Sequence, residues 1–154
     1  MPTRSIENSN SRLLISEILR KVSNAKTKKE KVDLLRKHNS PALRQLMIIN
    51  FDDSVVSLLP EGEVPYTPND APVGTDHTRL EQEYRGLYRF FKGGAKLSNL
   101  KRESMFVQLL EGLSAEEAEL LCLVKDGSLT TKYKRITKAV VSEAYPSIEW
   151  GGRS

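Results

Sequence analysis

The chain has little of the chemistry on which most enzymes and metal proteins depend. Its 154 residues include two histidines, one cysteine and no C-x-x-C pair. A single cysteine excludes an internal disulfide, and two histidines in unlike contexts supply too few ligands for a zinc site. No Ser/His/Asp or Cys/His arrangement has the spacing of a catalytic set. We therefore expect a protein that is not an enzyme and that uses no metal and no cofactor.

Long apolar runs are also absent. Runs such as residues 46–49 are far shorter than the roughly 20 apolar residues of a membrane helix, and the N-terminus has no apolar signal core. Cys122 lies on a predicted apolar helix face, so we expect a packed thiol rather than a nucleophile. These features favour a cytoplasmic protein without a membrane partner.

The net charge of +4 is unevenly distributed. Residues 1–60 hold 11 Lys/Arg against 6 Asp/Glu, residues 61–85 hold 2 against 6, and residues 86–154 hold 11 against 8. Basic ends around an acidic middle are compatible with a polyanionic partner. A solvated helical surface gives a similar count, so the charge alone does not establish one.

Apolar residues at three- and four-residue spacing predict short amphipathic helices in the first two thirds of the chain. The predicted N-caps are Thr27, Ser40 and Thr78, and Thr27 with Glu30 forms a capping box. The expected buried faces are Leu14, Ile15, Ile18, Leu19 and Val22; Val32, Leu34 and Leu35; Leu43, Leu46, Met47 and Ile49 or Phe51; and Leu80, Tyr84, Leu87, Tyr88 and Phe91.

Residues 103–146 show the organisation most clearly, as three helices separated by polar joints. Gly112 ends the first helix, and Ser114 with Glu117 forms a capping box that starts the second. We expect Leu121 and Val140 on facing apolar stripes of the second and third helices. The remaining residues of the three stripes are Met105 or Phe106, Leu109, Leu110, Leu113, Ala118, Cys122, Val124, Ile136, Val141 and Ala144. We predict an all-α fold, a compact bundle of about six or seven short helices.

The helices form one predicted domain over residues 11–146, between a flexible arm at 1–10 and a C-terminal tail at 147–154. Residues 60–77 are rich in proline and cannot form a helix. We expect an ordered surface loop, pinned to the helices by Leu58, Leu59, Val64 and Tyr66. The pair Asp52 and Asp53 is more typical of a helix cap than of a metal site.

Two basic segments lie at predicted helix ends, where free backbone N–H groups favour anions. In one, Lys92 and Lys96 flank a glycine pair, although G-x-x-x-x-G-K-[ST] is absent and a plain helix end explains the segment nearly as well. The other is the basic joint, residues 126–137, which we expect to be too polar for the core. It contains Lys132, Lys134 and Arg135.

Other basic and aromatic patterns have ordinary explanations. Five cations around the second helix are typical of a solvated face, although a phosphate-facing surface is the alternative. They are Lys28, Lys29, Lys31, Arg36 and Lys37. Arg85 and Arg89 lie among aromatic residues that could stack on bases, but such a stripe is more often core. Trp150 is an anchor either on a partner or on its own core, and the sequence leaves both open.

Two resemblances place these patterns in context. The segments FDDSVVSLLPEGEVPYTPN, FFKGG and MFVQLLEGLSAEEAELLCLVKDGSL with ITKAVVSEAYPSI resemble a family of small uncharacterised proteins from T-even-like phages of marine bacteria. That resemblance covers nearly the whole chain. It implies a location in the host cytoplasm during infection or in the virion.

The second resemblance is to the N-terminal helical DNA-binding domain of T-even phage ATP-dependent DNA ligase. It rests on RLLISEILRKVSNAKTKKEKVDLLRKHNSPALRQLM and on EGLSAEEAELLCLVKDGSLTTKYKRITKAVVSEAYPSI. In ligases this all-helical domain grips the backbone of duplex DNA with helix N-termini and basic side chains. The residues that this likeness implies as DNA contacts are Lys125, Gly127, Ser128, Lys132, Lys134, Arg135 and Thr137. No adenylation domain follows them, so ligation is not implied.

Two functions of different classes remain open from the sequence. One is a non-catalytic accessory protein that binds duplex DNA through backbone phosphates during phage replication, repair or packaging. The other is a protein–protein interaction module, either a virion component or an adaptor of the phage replication machinery. The proline-rich loop and Trp150 motivate the second.

Overall fold

A computed structural model describes residues 13–69 and 77–153. Within these ranges the backbone forms seven α-helices and two 3₁₀ helices and contains no strand. The helices are α1 (Ile15–Asn24), α2 (Lys28–Lys37), α3 (Pro41–Phe51), α4 (Leu80–Glu83), α5 (Asn99–Gly112), α6 (Ala115–Lys125) and α7 (Lys138–Ala144), with 3₁₀ helices at Tyr84–Phe90 and Leu129–Thr131. The predicted all-α bundle is confirmed. The predicted arm at 1–10 and the part of the loop at 70–76 lie outside the described residues.

The helix starts predicted at Thr27 and Ser40 follow side-chain caps. Thr78 is not the cap of α4, whose N-cap is Arg79 and has no side-chain cap hydrogen bond. Ser40 Oγ accepts the N–H of Leu43 at 3.1 Å, directly before Pro41, and Thr27 Oγ1 accepts the N–H of Glu30 at 3.1 Å. Helix α5 begins earlier than predicted because Ser98, not a later residue, is its cap. Both predicted capping boxes are half formed, since neither glutamate reaches back to the N–H of its own N-cap. Glu30 accepts the Thr27 hydroxyl at 3.0 Å instead.

The apolar faces of α1 and α3 are buried in the core. All five predicted residues of the first helix are buried, as are the predicted residues of the third, with Ile49 rather than Phe51 completing the face. Leu59 is buried while Leu58 is 36% exposed, so three of the four predicted apolar anchors, Leu59, Val64 and Tyr66, pack the proline-rich loop on the core. No helix in the described part of the chain is long and apolar enough to cross a bilayer.

The segment after α4 corrects the prediction of one regular helix. A single α-helical turn passes into the 3₁₀ helix Tyr84–Phe90, whose period is three residues. Leu87 and Phe90 therefore share a face and are buried, and Phe90 packs edge-on against Phe106 with ring centroids 5.1 Å apart. Tyr88, expected in the core, is 52% exposed.

Helix α7 packs against α2 rather than against α6. Its C-terminal carbonyl groups accept hydrogen bonds from Arg36, at 2.9 Å for the oxygen of Glu143. The hydroxyl of Tyr145 donates to the carbonyl oxygen of Leu35. Leu121 and Val140 are both buried, as predicted, but the expected direct apposition of their helices is replaced by this α2–α7 contact.

Candidate nucleic-acid interface

The basic joint is a folded segment and not a solvated linker. Leu129, Tyr133 and Ile136 are each at most 2% exposed, and the segment opens with a 3₁₀ helix. The expectation that the joint is too polar for the core is therefore wrong. These three residues follow i, i+4, i+7 spacing, the period of one helical face, and the Lys, Thr and Arg residues between them hide this pattern.

Gly127 and Ser128 cap helix α6. The N–H of Gly127 donates to the carbonyl of Val124 at 3.0 Å and the N–H of Ser128 to that of Leu123 at 2.8 Å, which is the Schellman arrangement. Gly127 has φ +68°, a conformation that glycine adopts without strain. Because both N–H groups bind helix carbonyls, these residues shape the joint but present no free donor to a phosphate.

Lys125 lies in the interior, with its side chain 1% exposed. Its Nζ donates to the carbonyl of Pro60 at 2.9 Å and lies 2.6 Å from Asp126 Oδ1. The other carboxylate oxygen of Asp126 accepts the N–H of Gly62 at 3.0 Å. The pair therefore fastens the proline-rich loop to the end of α6, and the structure removes Lys125 from the candidate phosphate contacts because its ammonium group is already paired.

The basic turn, residues 132–135, presents the remaining cations of the joint. Lys132 is exposed and pairs with Glu119 of α6. Lys134 and Arg135 are exposed, and neither side chain forms an ion pair within the described residues. The backbone of the turn is held to α1, because Ser23 Oγ donates to the carbonyl of Lys134 at 2.9 Å.

The last predicted contact of this segment, Thr137, is the N-cap of α7. Its Oγ1 accepts the N–H of Val140 at 3.3 Å. Helix α7 has only seven residues, so its dipole adds little to the charges of the neighbouring side chains. Thr137 therefore serves the start of α7, and the exposed cations of this segment are those of the basic turn.

Lys92 and Lys96 lie in an exposed loop. Among the described residues, the backbone of this loop forms no hydrogen bond with the backbone of the basic turn. The N–H of Lys92 donates to the carbonyl of Val56 at 2.9 Å, and that of Gly94 to the carbonyl of Phe91 at 3.1 Å. A Cβ on Gly94 would lie 1.9 Å from the Tyr88 carbonyl oxygen, so only glycine fits there. The loop packs on the segment after α3, whereas the basic turn contacts α1 and α6.

The cations of α2 are used largely within the fold. Lys31, predicted on the exposed side, is buried, and its Nζ donates to the carbonyl of Ala25. Lys28 pairs with Glu143 at 3.2 Å, and Arg36 binds the end of α7. These contacts favour neither a fully solvated face nor a phosphate-facing surface.

Trp150 packs on its own chain. Its Nε1 donates to Ser142 Oγ at 3.1 Å, and the Nζ of Lys138 lies 5.0 Å from the ring centroid. Further along the tail, the N–H of Gly151 and the guanidinium of Arg153 donate to buried Asp52, at 2.8 and 2.6 Å. Of the two roles left open by the sequence, the structure shows the intramolecular anchor.

Among the described residues, no three His, Cys, Asp or Glu side chains lie close enough together to hold a metal ion. Cys122 is half-buried beside the proline-rich loop, and burial raises the pKa of its thiol to about 11. The thiolate needed for nucleophilic attack is therefore scarce at neutral pH.

A basic segment with no acidic residue escaped the sequence analysis. Residues 84–102 contain six Lys/Arg and no Asp or Glu. The count over residues 86–154 hid it, because the acidic residues of α5 and α6 offset part of the positive charge. Counting the charges over shorter stretches, each about as long as two helices, would have revealed it.

Comparison with known proteins gives a family and no activity. The model of the Family of unknown function (DUF6433) matches residues 18–131. The chain belongs to this family. The matched range contains the acid-free segment, residues 84–102, and its last residue, 131, directly precedes the basic turn. No curated protein and no solved structure matched the chain.

Proposed function

We propose that the chain is a non-catalytic accessory protein that binds duplex DNA through its backbone phosphates. The observation that carries the proposal is the basic turn, where Lys134 and Arg135 project from a backbone segment fixed by buried neighbours. The resemblances in sequence suggest phage replication, repair or packaging as its setting, in the host cytoplasm or in the virion.

The backbone of the turn supports this role because it is already ordered. Tyr133 and Ile136 are buried on either side of the two cations, so binding a phosphate orders side chains but not the chain itself. Lys132 lies next to them, although Glu119 offsets part of its charge. The set offers charge without groups that read base edges, so we expect binding that is independent of sequence.

The alternative is a protein–protein interaction module, as a virion component or an adaptor of the replication machinery. Both features that motivated it are used inside the fold: Trp150 binds Ser142, and Lys125 fastens the proline-rich loop. Duplex DNA is therefore the better-supported partner. Mass spectrometry of purified virions would test the structural version of the alternative.

The decisive experiment is a salt titration of duplex DNA binding by the triple variant Lys132→Ala, Lys134→Ala, Arg135→Ala. In the variant, log affinity should fall less steeply with log salt. The magnitude of the negative slope should decrease by up to about three, roughly 0.9 for each lost phosphate contact. Affinity should fall equally for unrelated sequences. The melting temperature should change little, because exposed cations contribute little to folding.

A matched control removes the same charge from a different surface. Lys26, Lys29 and Lys37 are exposed on α2 or beside it, and their triple alanine variant should keep the slope of the parent. Equal losses in the two variants would mean diffuse attraction rather than a site at the basic turn. An unchanged slope in the first variant would rule the turn out.

A further inference from the structure

The acid-free segment, residues 84–102, presents exposed cations outside the basic turn. Four of its cations, Arg85, Lys92, Lys96 and Lys101, are exposed, and none of them forms an ion pair within the described residues. A stretch of this kind attracts a polyanion more strongly than the overall charge of +4 indicates.

The loop that carries two of these lysines is held from beneath by Arg102. This side chain is buried, and its guanidinium donates to the carbonyl oxygens of Arg89 at 3.1 Å and Leu97 at 3.0 Å. The two bonds bracket the loop, so Lys92 and Lys96 extend from an ordered backbone.

A groove of about 240 Å³ opens beside this loop. Val56 and Tyr88, two of the four large apolar side chains exposed in the described part of the chain, line it. Ile48 and Phe91 add apolar surface, and the polar lining residues are Gln45, Lys92 and Arg153. No carboxylate lines the groove, whereas the other cavities described each contain Glu or Asp.

Tyr88 is presented as a flat, accessible surface. It is 52% exposed, between Leu87 and Phe90, which are buried and fix the local backbone. The guanidinium carbon of Arg89 lies 5.9 Å from the Tyr88 ring centroid, and its Nε donates to the carbonyl of Gly86 at 3.0 Å. The guanidinium therefore covers one face of the ring, and a nucleobase can stack on the other face.

We propose that this face binds single-stranded nucleic acid. A base stacks on Tyr88 at the groove, where the Gln45 amide can pair with a base edge, and Lys92, Lys96 and Lys101 bind the neighbouring phosphates. The groove has no carboxylate and holds the exposed ring of Tyr88 together with Lys92. This favours nucleic acid over an acidic peptide, which has no flat bases to stack. Paired bases in a duplex do not expose their faces, so this site is separate from the basic turn.

The test is fluorescence anisotropy of the full chain with a labelled oligothymidine of about 12 nucleotides, a length within the usual site sizes. Tyr88→Ala should weaken binding roughly tenfold, the effect of losing one stacked base, and Tyr88→Phe should keep it. Replacing Lys92, Lys96 and Lys101 by glutamine should decrease the magnitude of the slope of log affinity against log salt by about two. None of these variants should change duplex binding in the salt titration, so the two proposals fail or succeed separately.

Leu100→Ala is the control, because Leu100 is 80% exposed but lies outside the groove lining; it should bind like the parent. Parent-like affinity in Tyr88→Ala, or no binding of the oligonucleotide at low salt, would overturn the proposal. So would displacement of the oligonucleotide by polyglutamate at equal charge concentration, since that would identify any polyanion, including an acidic protein, as an equivalent ligand.

Discussion

The carboxylate of Glu117 accepts the backbone N–H of Ile15 at 3.0 Å, although 102 residues separate them. Its other oxygen accepts the N–H of Leu80, also at 3.0 Å. Ile15 and Leu80 are the first residues of α1 and α4, and Glu117 is in the first turn of α6. One buried side chain thus satisfies donors at two other helix starts and fixes three N-termini together.

Glu117→Gln should lower the free energy of unfolding by about 2 kcal/mol, since the amide can accept only one of the two bonds and turns a donor toward the other N–H. Chemical denaturation measures the change. Glu119→Gln is the matched control, because Glu119 is exposed and its pair with Lys132 is a surface contact worth under about 1 kcal/mol. Equal effects of the two substitutions would contradict the bridging role.

Asp52 should make the fold sensitive to acid. Burial acts to raise the pKa of its carboxyl, but hydrogen bonds from Ser54, Gly151 and Arg153 outweigh it and hold the pKa well below its ordinary value near 3.8. The ionised form therefore stabilises the fold above about pH 3.8, and this contribution is lost as the pH falls below that value toward the folded pKa.

Asp52→Asn should lower the free energy of unfolding by about 2 kcal/mol at neutral pH. Asparagine has one NH2 donor in place of a carboxylate oxygen, so this donor would face the N–H donors of Gly151 and Arg153 in the tail. Thermal melts at several pH values should show the difference from the parent shrinking below about pH 3.8. The exposed neighbour offers the control, since Asp53→Asn should follow the parent at every pH. A deficit for Asp52→Asn that stays constant down to strongly acidic pH would speak against the tail contact.

Two buried tyrosines should respond oppositely to loss of the hydroxyl group. Tyr133 OH has no hydrogen-bond partner among the described residues, and burial raises its pKa to about 12. Tyr145 OH donates to the carbonyl of Leu35. Tyr133→Phe should leave the free energy of unfolding unchanged or raise it, whereas Tyr145→Phe should lower it by about 1 kcal/mol. Denaturant titration compares them, and a larger loss in Tyr133→Phe would show that its hydroxyl is bonded.

The local features of the fold could be predicted from the sequence. The apolar face of α1 and the cap at Ser40 depend on residues within a few positions of one another, so periodicity and capping rules suffice. The 3₁₀ helix after α4 could not, because its three-residue period resembles the α-helical one over so few residues, and the packing of Phe90 on Phe106 selects it.

The candidate site depended on contacts that no local rule contains. Lys125 at the end of α6 has the pattern of a cation on a helix dipole, yet it is buried by a loop from 65 residues earlier. Glu117 fits a local capping box, but its partners lie in α1 and α4. Lys134 and Arg135 needed no such partner, and their predicted exposure is confirmed.

Arg135 combines an exposed charge with an unfavourable backbone. Its φ of +67° is the only positive φ of a non-glycine residue in the described ranges, and the left-handed region costs a residue with a Cβ about 1–2 kcal/mol. Arg135→Gly should relieve this cost and, after the greater flexibility of the unfolded glycine chain is subtracted, raise the free energy of unfolding by about 0.5–1 kcal/mol.

Arg135→Ala separates the two properties of this residue. Alanine keeps the Cβ and therefore the strain, so its stability should match that of the parent, while both variants lose the same charge and should weaken duplex DNA binding equally. Denaturation and anisotropy on the same preparations measure the two effects. If glycine destabilised the chain more than alanine, the left-handed turn would be wrong; if only one variant lost affinity, the geometry of the turn, and not the charge of Arg135, would control DNA binding.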